Sequence, residues 1–254
     1  MVGVTGASGV QYAIRLIQTL VEHRVDLHLV FSEAALRVLQ DELGIKSSQA
    51  KLSDVLFESG LPKNVHLYNP KDIGAAIASG TFPVEGMVII PCSMGTLGAI
   101  AHGLSENLLH RAADVTLKEG RRLILVPRET PVSAIHLENM LKLSRLGVRI
   151  APAMPGFYHR PTSVDDVVDM MVMKVLDQMD MKISLVKRWG GDTVGDRAPL
   201  SGGAPNESIF SHSHSIVNRS SETAEGSASE CSNHELSNGG ISVGERSESS
   251  RSLS

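Results

Sequence analysis

Residues 1–21 have the sequence MVGVTGASGVQYAIRLIQTLV, which predicts a strand, a glycine-rich turn and a helix in immediate succession. The apolar residues 1–5 suit a short buried strand, and Gly6-Ala7-Ser8-Gly9 suits a tight turn. Beyond the turn, apolar residues recur at the spacing of a helix that buries one face. A strand followed directly by a helix is typical of βα units, so the stretch indicates a parallel sheet.

The same alternation continues along the chain up to about residue 190. We predict further strands at 25–31, 66–68, 87–90, 122–126 and 148–151. We predict further helices at 32–43, 93–102, 106–119, 133–146 and 163–180. The stretch between the helix ending at 43 and the strand beginning at 66 is expected to be irregular. Strands separated by helices predict an α/β domain, with a parallel sheet covered on both faces.

The composition excludes several classes of protein. With 42% hydrophobic residues, the 254-residue chain can bury one sizeable core. Its formal net charge of −4 argues against a general nucleic-acid-binding protein, which usually carries a basic excess. The only cysteines are Cys92, expected to be a buried spectator thiol, and the distant Cys231, and the ten histidines lack metal-ligand spacing. Neither a disulfide scaffold nor a zinc site is therefore expected, and no apolar run is long enough to span a membrane.

The composition changes sharply near residue 190. Of the 54 residues from Ser201 to Ser254, 17 are serine, and apolar residues are too few to offset the entropy of ordering. We therefore predict a folded domain at 1–190 and a disordered Ser-rich tail at 191–254. No secretory signal is recognisable, which favours a cytoplasmic protein. An N-terminus truncated inside the first strand would leave an organellar location open.

Polar residues cluster where the predicted strands end. Arg128 and Glu129 follow the strand at 122–126, and Tyr158 comes shortly after the next strand. Because ligands bind at the carboxyl ends of parallel strands, an arginine, a carboxylate and a phenol are expected at one ligand-binding edge. Each also has a structural interpretation: Arg128 and Glu129 as a solvated pair, and Tyr158 as a core aromatic residue.

Three strand-to-helix turns offer hydroxyl groups at the same edge. The turn at Gly6–Gly9 can present backbone N–H groups and the Ser8 hydroxyl to a phosphate, or serve only as a tight turn. Ser32 is interpreted as a phosphate contact or as a helix N-cap. Ser93 and Thr96 belong to a turn of small residues that would let a flat ring approach the backbone, or that only caps a helix.

Six motifs in this order resemble the flavin prenyltransferases of the UbiX type, over about residues 1–190. They are Thr5-Gly6-Ala7-Ser8-Gly9, Pro91-Cys92-Ser93-Met94-Gly95-Thr96, Arg111-Ala112-Ala113-Asp114 with Leu117-Lys118-Glu119, Val126-Pro127-Arg128-Glu129, Ile135-His136-Leu137-Glu138-Asn139-Met140 and Pro155-Gly156-Phe157-Tyr158-His159. The resemblance implies a flavodoxin-like (Rossmann-like) three-layer sandwich. It also implies a homo-oligomer, typically a dodecamer with flavin at the subunit interfaces.

The same resemblance implies an activity. A dimethylallyl group, taken from dimethylallyl phosphate or in some members from the diphosphate, is joined to N5 and C6 of reduced FMN. The product, prenylated FMN, is used by a UbiD-type decarboxylase in ubiquinone biosynthesis or aromatic-acid decarboxylation, and the reaction needs no metal.

Roles for individual residues follow from the resemblance as well. The flavin would be held by the first turn and the hydroxyl-bearing turns, namely Gly6, Ala7, Ser8, Ser32, Ser93 and Thr96, with Arg111 beside them. The prenyl phosphate would be lined by the expected catalytic residues Glu42, Lys118, Arg128 and Glu129, and by the donor-binding residues Tyr158 and Lys174. Cationic and phenolic donors would stabilise the departing phosphate, and Glu129 would accept the proton lost on ring closure.

Two lysines of this set, Lys118 and Lys174, lie on predicted helices. Lys118 is equally suited to be a cation at a helix C-terminus. Helical spacing places Lys174 on the apolar, buried side of the last helix, in line with Val167 and Met171. The family commonly has arginine at this position. In this chain the lysine ammonium, a point charge, therefore replaces a guanidinium that could bind a phosphate through two hydrogen bonds.

Two other functions stay as alternatives at this stage. An FMN-dependent decarboxylase of the peptidyl-cysteine or phosphopantothenoylcysteine type would share the fold. Such enzymes carry Pro-Ala-Ser-Ala-Asn-Thr in place of Pro91–Thr96, and Pro-x-Met-Asn in place of Pro152–Pro155, so both differences favour prenyl transfer. A non-catalytic subunit that delivers flavin to a decarboxylase would bind the cofactor without turnover.

Overall fold

The computed structural model of the chain describes residues 1–44, 52–57 and 60–188, without the side chains at 54 and 55. The strands in this part are β1 Val2–Val4, β2 Leu27–Phe31, β3 Val65–Tyr68, β4 Gly86–Cys92, β5 Arg122–Pro127 and β6 Arg149–Ile150. The helices are α1 Val10–Glu22, α2 Glu33–Leu43, α3 Leu52–Leu56, α4 Met94–Ala101, α5 Leu108–Lys118, α6 Ala134–Arg145 and α7 Val164–Gln178. A single 3₁₀ turn spans Ala76–Ala78.

These strands form one parallel sheet in the order β3-β2-β1-β4-β5-β6. The chain first adds strands on one side of β1 and then on the other, so the direction of winding reverses between β1 and β4. In such doubly wound sheets the reversal opens a crevice at the carboxyl ends of the two central strands. The predicted α/β, flavodoxin-like fold with a parallel sheet is confirmed.

Two apolar layers cover the two faces of the sheet, which makes the domain a three-layer sandwich. On one face, α1, α2, α3 and α7 pack against strand side chains that include Val4, Leu29 and Val126. On the other face, α4, α5 and α6 pack against alternate strand residues such as Ile89 and Leu125. The core therefore fixes which strand ends, and which turns, lie at the crevice.

Local signals in the sequence explain where most helices begin. The side chains of Ser32, Ser93, Asn107, Ser133 and Ser163 each accept a hydrogen bond from the backbone N–H three residues further on. This is the usual geometry of an N-cap. The predicted elements are confirmed with small shifts at their ends, while α3 and the 3₁₀ turn lie in stretches where no helix was predicted.

One prediction about α7 is wrong. Lys174 is exposed, and so is Val164 at the first position of the helix, at 74%. The buried face of α7 is centred on Val168 and Val175, which pack with α1, whereas Val167 is only half-buried. Because Lys174 continues the row of Val167, it lies at the solvent edge of that face.

Two further predictions concern the tail and membrane-spanning segments. The predicted tail at 191–254 lies outside the described residues. Within the described ranges, no helix combines the length and the apolar character that crossing a bilayer requires.

Candidate active site

Thr5 joins the two strands that border the crevice. Its hydroxyl donates to the Pro91 carbonyl at 2.7 Å and accepts from the Ser93 N–H at 2.7 Å. The side chain is 2% exposed, so both hydrogen bonds are shielded from water. No role for Thr5 was predicted, although a threonine at the end of an apolar strand is a signal visible in the sequence.

Thr5→Val is expected to lower the free energy of unfolding by about 1–3 kcal/mol, because it leaves the Ser93 N–H without its buried acceptor. Urea unfolding of the purified variant measures the change. Thr5→Ser keeps the hydroxyl and is the matched control, with a smaller loss expected. Equal stability of the two variants would contradict the role assigned to the hydroxyl.

The turn after β1 depends on two of its glycines. A Cβ atom at Gly6 would lie 2.4 Å from the Cβ of Ala34, so this turn and the start of α2 approach too closely for a side chain. Gly9 has φ +103°, a left-handed conformation that favours glycine, and it precedes the first residue of α1. Between them Ser8 is exposed and Ala7 is buried. The turn therefore presents backbone and the Ser8 side chain at the sheet edge.

Glu42 binds the amino end of α1, a contact that the sequence did not predict. Its carboxylate accepts from the Gly9 N–H at 2.9 and 3.1 Å and from the Val10 N–H at 3.0 Å. A carboxylate at this position is stabilised by the helix dipole and by otherwise unpaired N–H groups. The N–H groups of Gly9 and Val10 are thus already engaged, and any phosphate held by this turn would meet the N–H groups before Gly9.

The hydroxyl-bearing turns lie at the same edge, and their side chains cap helices. Ser32 Oγ accepts from the Ala35 N–H at 3.1 Å, and the Ser32 N–H donates to the Val4 carbonyl at 2.9 Å. Ser93 Oγ accepts from the Thr96 N–H at 3.3 Å and donates to Thr96 Oγ1 at 3.1 Å. The capping interpretation is confirmed for both serines, and a contact with flavin stays a prediction.

Arg128 connects the end of β5 with the first turn. Its Nε donates to the Ser8 carbonyl at 3.3 Å, and the side chain is half-buried. Glu129, the next residue, is also half-buried, and its Oε1 accepts from the Thr130 N–H at 3.0 Å. The predicted cation therefore reaches the turn that carries Ser8, and the predicted carboxylate follows it at the same strand end.

Arg111 and Lys118 both lie on α5, Arg111 near its first turn and Lys118 at its last residue. Arg111 donates to Asp114 at 2.8 Å and to the Ala78 carbonyl at 3.3 Å, and Lys118 pairs with Glu119. Lys118 ends α5 just before β5 begins, whereas Glu129 follows the end of β5. Strand β5 has six residues, so about 20 Å of sheet separates the two, at roughly 3.3 Å per residue.

The two donor-binding candidates lie on and beside α7. Tyr158 is 46% exposed, and its hydroxyl donates to Met170 Sδ at 3.6 Å. Lys174, one turn further along α7, lines an open cavity of about 540 Å³ beside β6, together with Arg149 and Pro152. Tyr158 follows β6, and the cavity beside Lys174 extends along that strand from Val148 to Pro152.

Cys92 is not available as a nucleophile. The side chain is fully buried at the end of β4, and this burial raises the pKa of the thiol well above its usual range. A thiol held neutral in this way is unreactive, as expected for a spectator.

The crevice fits a flavin mononucleotide by its donor set. Hydroxyl groups and backbone N–H groups converge at the carboxyl ends of β1 and β4, which suits a phosphate and a polyol chain. Gly95, in the first turn of α4, has open space where a Cβ would stand, so a flat ring has room to approach the backbone there.

Comparisons with known proteins agree with this geometry. The sequence profile of the family described as Flavoprotein matches residues 1–176. A flavin prenyltransferase UbiX of Halalkalibacterium halodurans is 53% identical over 190 residues, which are 74% of this chain and 92% of the relative.

Two solved structures are also similar. A dodecameric FMN-dependent UbiX-like decarboxylase from Escherichia coli O157:H7 superposes with a TM-score of 0.67 at 46% identity, covering 75% of this chain and 98% of that one. AnUbiX (PadA1) in complex with FMN and dimethylallyl pyrophosphate has a TM-score of 0.68 at 39% identity and covers 75% and 96%. This chain belongs to the Flavoprotein family, and within it to the flavin prenyltransferases of the UbiX type.

Proposed function

We propose that this flavin prenyltransferase joins a dimethylallyl group to N5 and C6 of reduced FMN, with dimethylallyl phosphate or diphosphate as the donor. The observation that carries the proposal is the contact of Arg128 with the Ser8 carbonyl. It brings a cation and the neighbouring Glu129 carboxylate to a crevice whose hydroxyl and N–H groups suit FMN. A relative with FMN and dimethylallyl pyrophosphate bound supports both ligands.

The flavin is held by the turns after β1, β2 and β4. Backbone N–H groups of Gly6, Ala7 and Ser8 bind the phosphate together with the Ser8 hydroxyl. Ser93 and Thr96 orient the ring from the other side of the crevice. Because Thr96 Oγ1 accepts a hydrogen bond from Ser93, its own hydroxyl proton is available to donate to the flavin. Ser32 borders the same crevice after β2. Reduced FMN, once bound, supplies the N5 and C6 atoms that accept the prenyl group.

The donor is activated by charge on the protein. As the allylic carbon–oxygen bond breaks, negative charge accumulates on the phosphate oxygens, and cations or phenols placed there lower the barrier. Arg128 meets this need with a bidentate fork, and Tyr158 adds a hydroxyl. Lys174 supplies a mobile point charge, in keeping with its exposure.

Glu129 accepts the proton that must leave when the new ring closes. A general base has to lie within hydrogen-bonding reach of that proton, and the half-buried Glu129 follows directly on Arg128 at the crevice. The Thr130 N–H holds one carboxylate oxygen and so orients the group. Glu42 supports the site by holding the Gly9 end of the flavin-binding turn.

The complete site requires two copies of the chain. Within one chain the length of β5 separates Lys118 from Glu129, so the two can act on one substrate only if a second subunit brings Lys118 to the crevice. A flavin site between subunits accounts for this separation.

Helix α6 supports assembly into a homo-oligomer. Most of its surface is solvent-exposed in the single chain, including large apolar side chains that would normally be covered. They are Ile135 (68% exposed), Leu137 (53%) and Leu141 (51%), with Leu146 (57%) just after the helix. We propose a dodecamer, as the similar structure from Escherichia coli is named.

The product is proposed to serve a UbiD-type decarboxylase, and the reaction is proposed to need no metal because Arg128 and the lysines supply the positive charge. We also propose a cytoplasmic location. Cys92 is a free thiol, which suits a reducing compartment.

The test is a flavin mass measurement. Purified protein is mixed without oxygen with reduced FMN and dimethylallyl phosphate, or the diphosphate in a parallel reaction, and the flavin is analysed after quenching. We expect the flavin to gain one C5 prenyl unit with at least one donor. Unmodified flavin with both donors would overturn the proposal, and would favour a cysteine-type decarboxylase or a flavin-delivery subunit instead.

A further inference from the structure

Two histidines and an aspartate meet at the amino ends of β2 and β3. Asp26 immediately precedes β2, His28 is the second residue of β2, and His66 is the second residue of β3. The parallel register pairs His28 directly with His66. The two histidines are far apart in the sequence, so their spacing gave no sign of a site.

The ligand atoms of these residues lie close together. Asp26 Oδ1 is 3.0 Å from His66 Nε2, and Asp26 Oδ2 is 3.9 Å from His28 Nε2. One ligand atom from each residue lies within 4.8 Å of the others. Nitrogen and oxygen ligands about 2.0–2.1 Å from a tetrahedral Zn²⁺ are about 3.3 Å apart, so small side-chain rotations would bring all three into range.

The environment of His28 prepares it to be a ligand. Its Nδ1 is 3.0 Å from the Tyr68 hydroxyl, the kind of outer contact that fixes the tautomer of a metal-binding imidazole. The ring stacks on His66 with centroids 4.8 Å apart and is 7% exposed.

We propose that Asp26, His28 and His66 bind one divalent transition-metal ion of the Zn²⁺ class. Two imidazoles and a carboxylate are the ligand set this ion prefers, and they leave a fourth position for water. Asp26 and His28 also line a cavity of about 490 Å³, which leaves space for that water.

The two arginines that line this cavity, Arg121 and Arg122, are bonded to groups other than the three proposed ligands. Arg121 donates to the carbonyls of Gly80 at 2.7 Å and Phe82 at 2.9 Å, and Arg122 pairs with Asp180. Because His28 lies on β2 and His66 on β3, a metal bound here would link these strands, at the sheet edge opposite the flavin crevice. Prenyl transfer does not depend on it.

Calorimetric titration of the untagged, EDTA-treated full chain with ZnCl₂ tests the proposal. Because His212, His214, Cys231 and His234 in the tail could bind zinc on their own, the three histidines are first replaced by glutamine and the cysteine by serine. In this background we expect one Zn²⁺ per chain. His66→Asn should weaken binding by at least about tenfold, since loss of an outer contact alone costs 10–100-fold.

His23→Gln is the matched control, because His23 is an exposed histidine outside the cluster. It should leave the affinity unchanged, whereas Asp26→Asn should lower it as His66→Asn does. Absence of Zn²⁺ binding in the starting protein would overturn the proposal. So would binding that survives both His66→Asn and Asp26→Asn.

Discussion

Glu129→Gln is expected to lower the rate of flavin prenylation by about 10²–10⁴-fold, the range that a positioned general base contributes. The substitution preserves the size of the side chain and its capacity to accept from the Thr130 N–H. It removes the negative charge that accepts a proton. Flavin binding should change little, because the hydroxyl and N–H groups of the crevice are untouched.

Single-turnover reactions followed by flavin mass separate these effects. Glu22→Gln is the matched control, since Glu22 is an exposed carboxylate at the end of α1, on the opposite edge of the sheet. It should prenylate flavin at the original rate. Normal turnover in Glu129→Gln would assign the proton to another base, while loss of FMN binding would show a structural role for the carboxylate.

The parts of the fold that the sequence predicted rest on local rules. Ser32, Ser93 and Ser163 cap helices through hydrogen bonds to residues only three positions away, so their role is visible in the sequence. Arg128 and Glu129 follow β5 as predicted, because the buried apolar run before them marks where that strand ends.

Contacts between distant elements could not be predicted in the same way. Glu42 reaches Gly9 only because α1 and α2 pack on the same face of the sheet, and His28 meets His66 only through strand register. Thr5 bonds to β4 because the winding of the sheet reverses beside β1.

Lys174 shows a different reason why prediction from the sequence can fail. Helical periodicity identifies the apolar face of α7, but the width of that face depends on how closely α1 packs against it. A residue at the border of the stripe can therefore lie on either side of it. The motif that contains Lys118 has a similar limit, because a resemblance in sequence does not say which subunit brings each residue to a site.

Restored activity is expected when Lys118→Met and Glu129→Gln chains assemble together. Each variant alone should lose about 10²-fold or more in rate, because one lacks a donor to the departing phosphate and the other lacks the base. In a mixed oligomer, some crevices combine an intact Lys118 from one chain with an intact Glu129 from the other. Random assembly at equal amounts gives about a quarter of the sites this composition in a closed symmetric oligomer.

Co-expression with two different affinity tags yields the mixed oligomer, and flavin mass gives its rate. Arg128→Met mixed with Glu129→Gln is the matched control: both residues follow β5 in one chain, so every crevice in that mixture keeps one defect and the rate should stay low. Recovery in the first mixture alone would establish a site shared between subunits. If co-assembled Lys118→Met and Glu129→Gln chains stay inactive, or Lys118→Met alone is fully active, α5 of a second subunit does not complete the crevice.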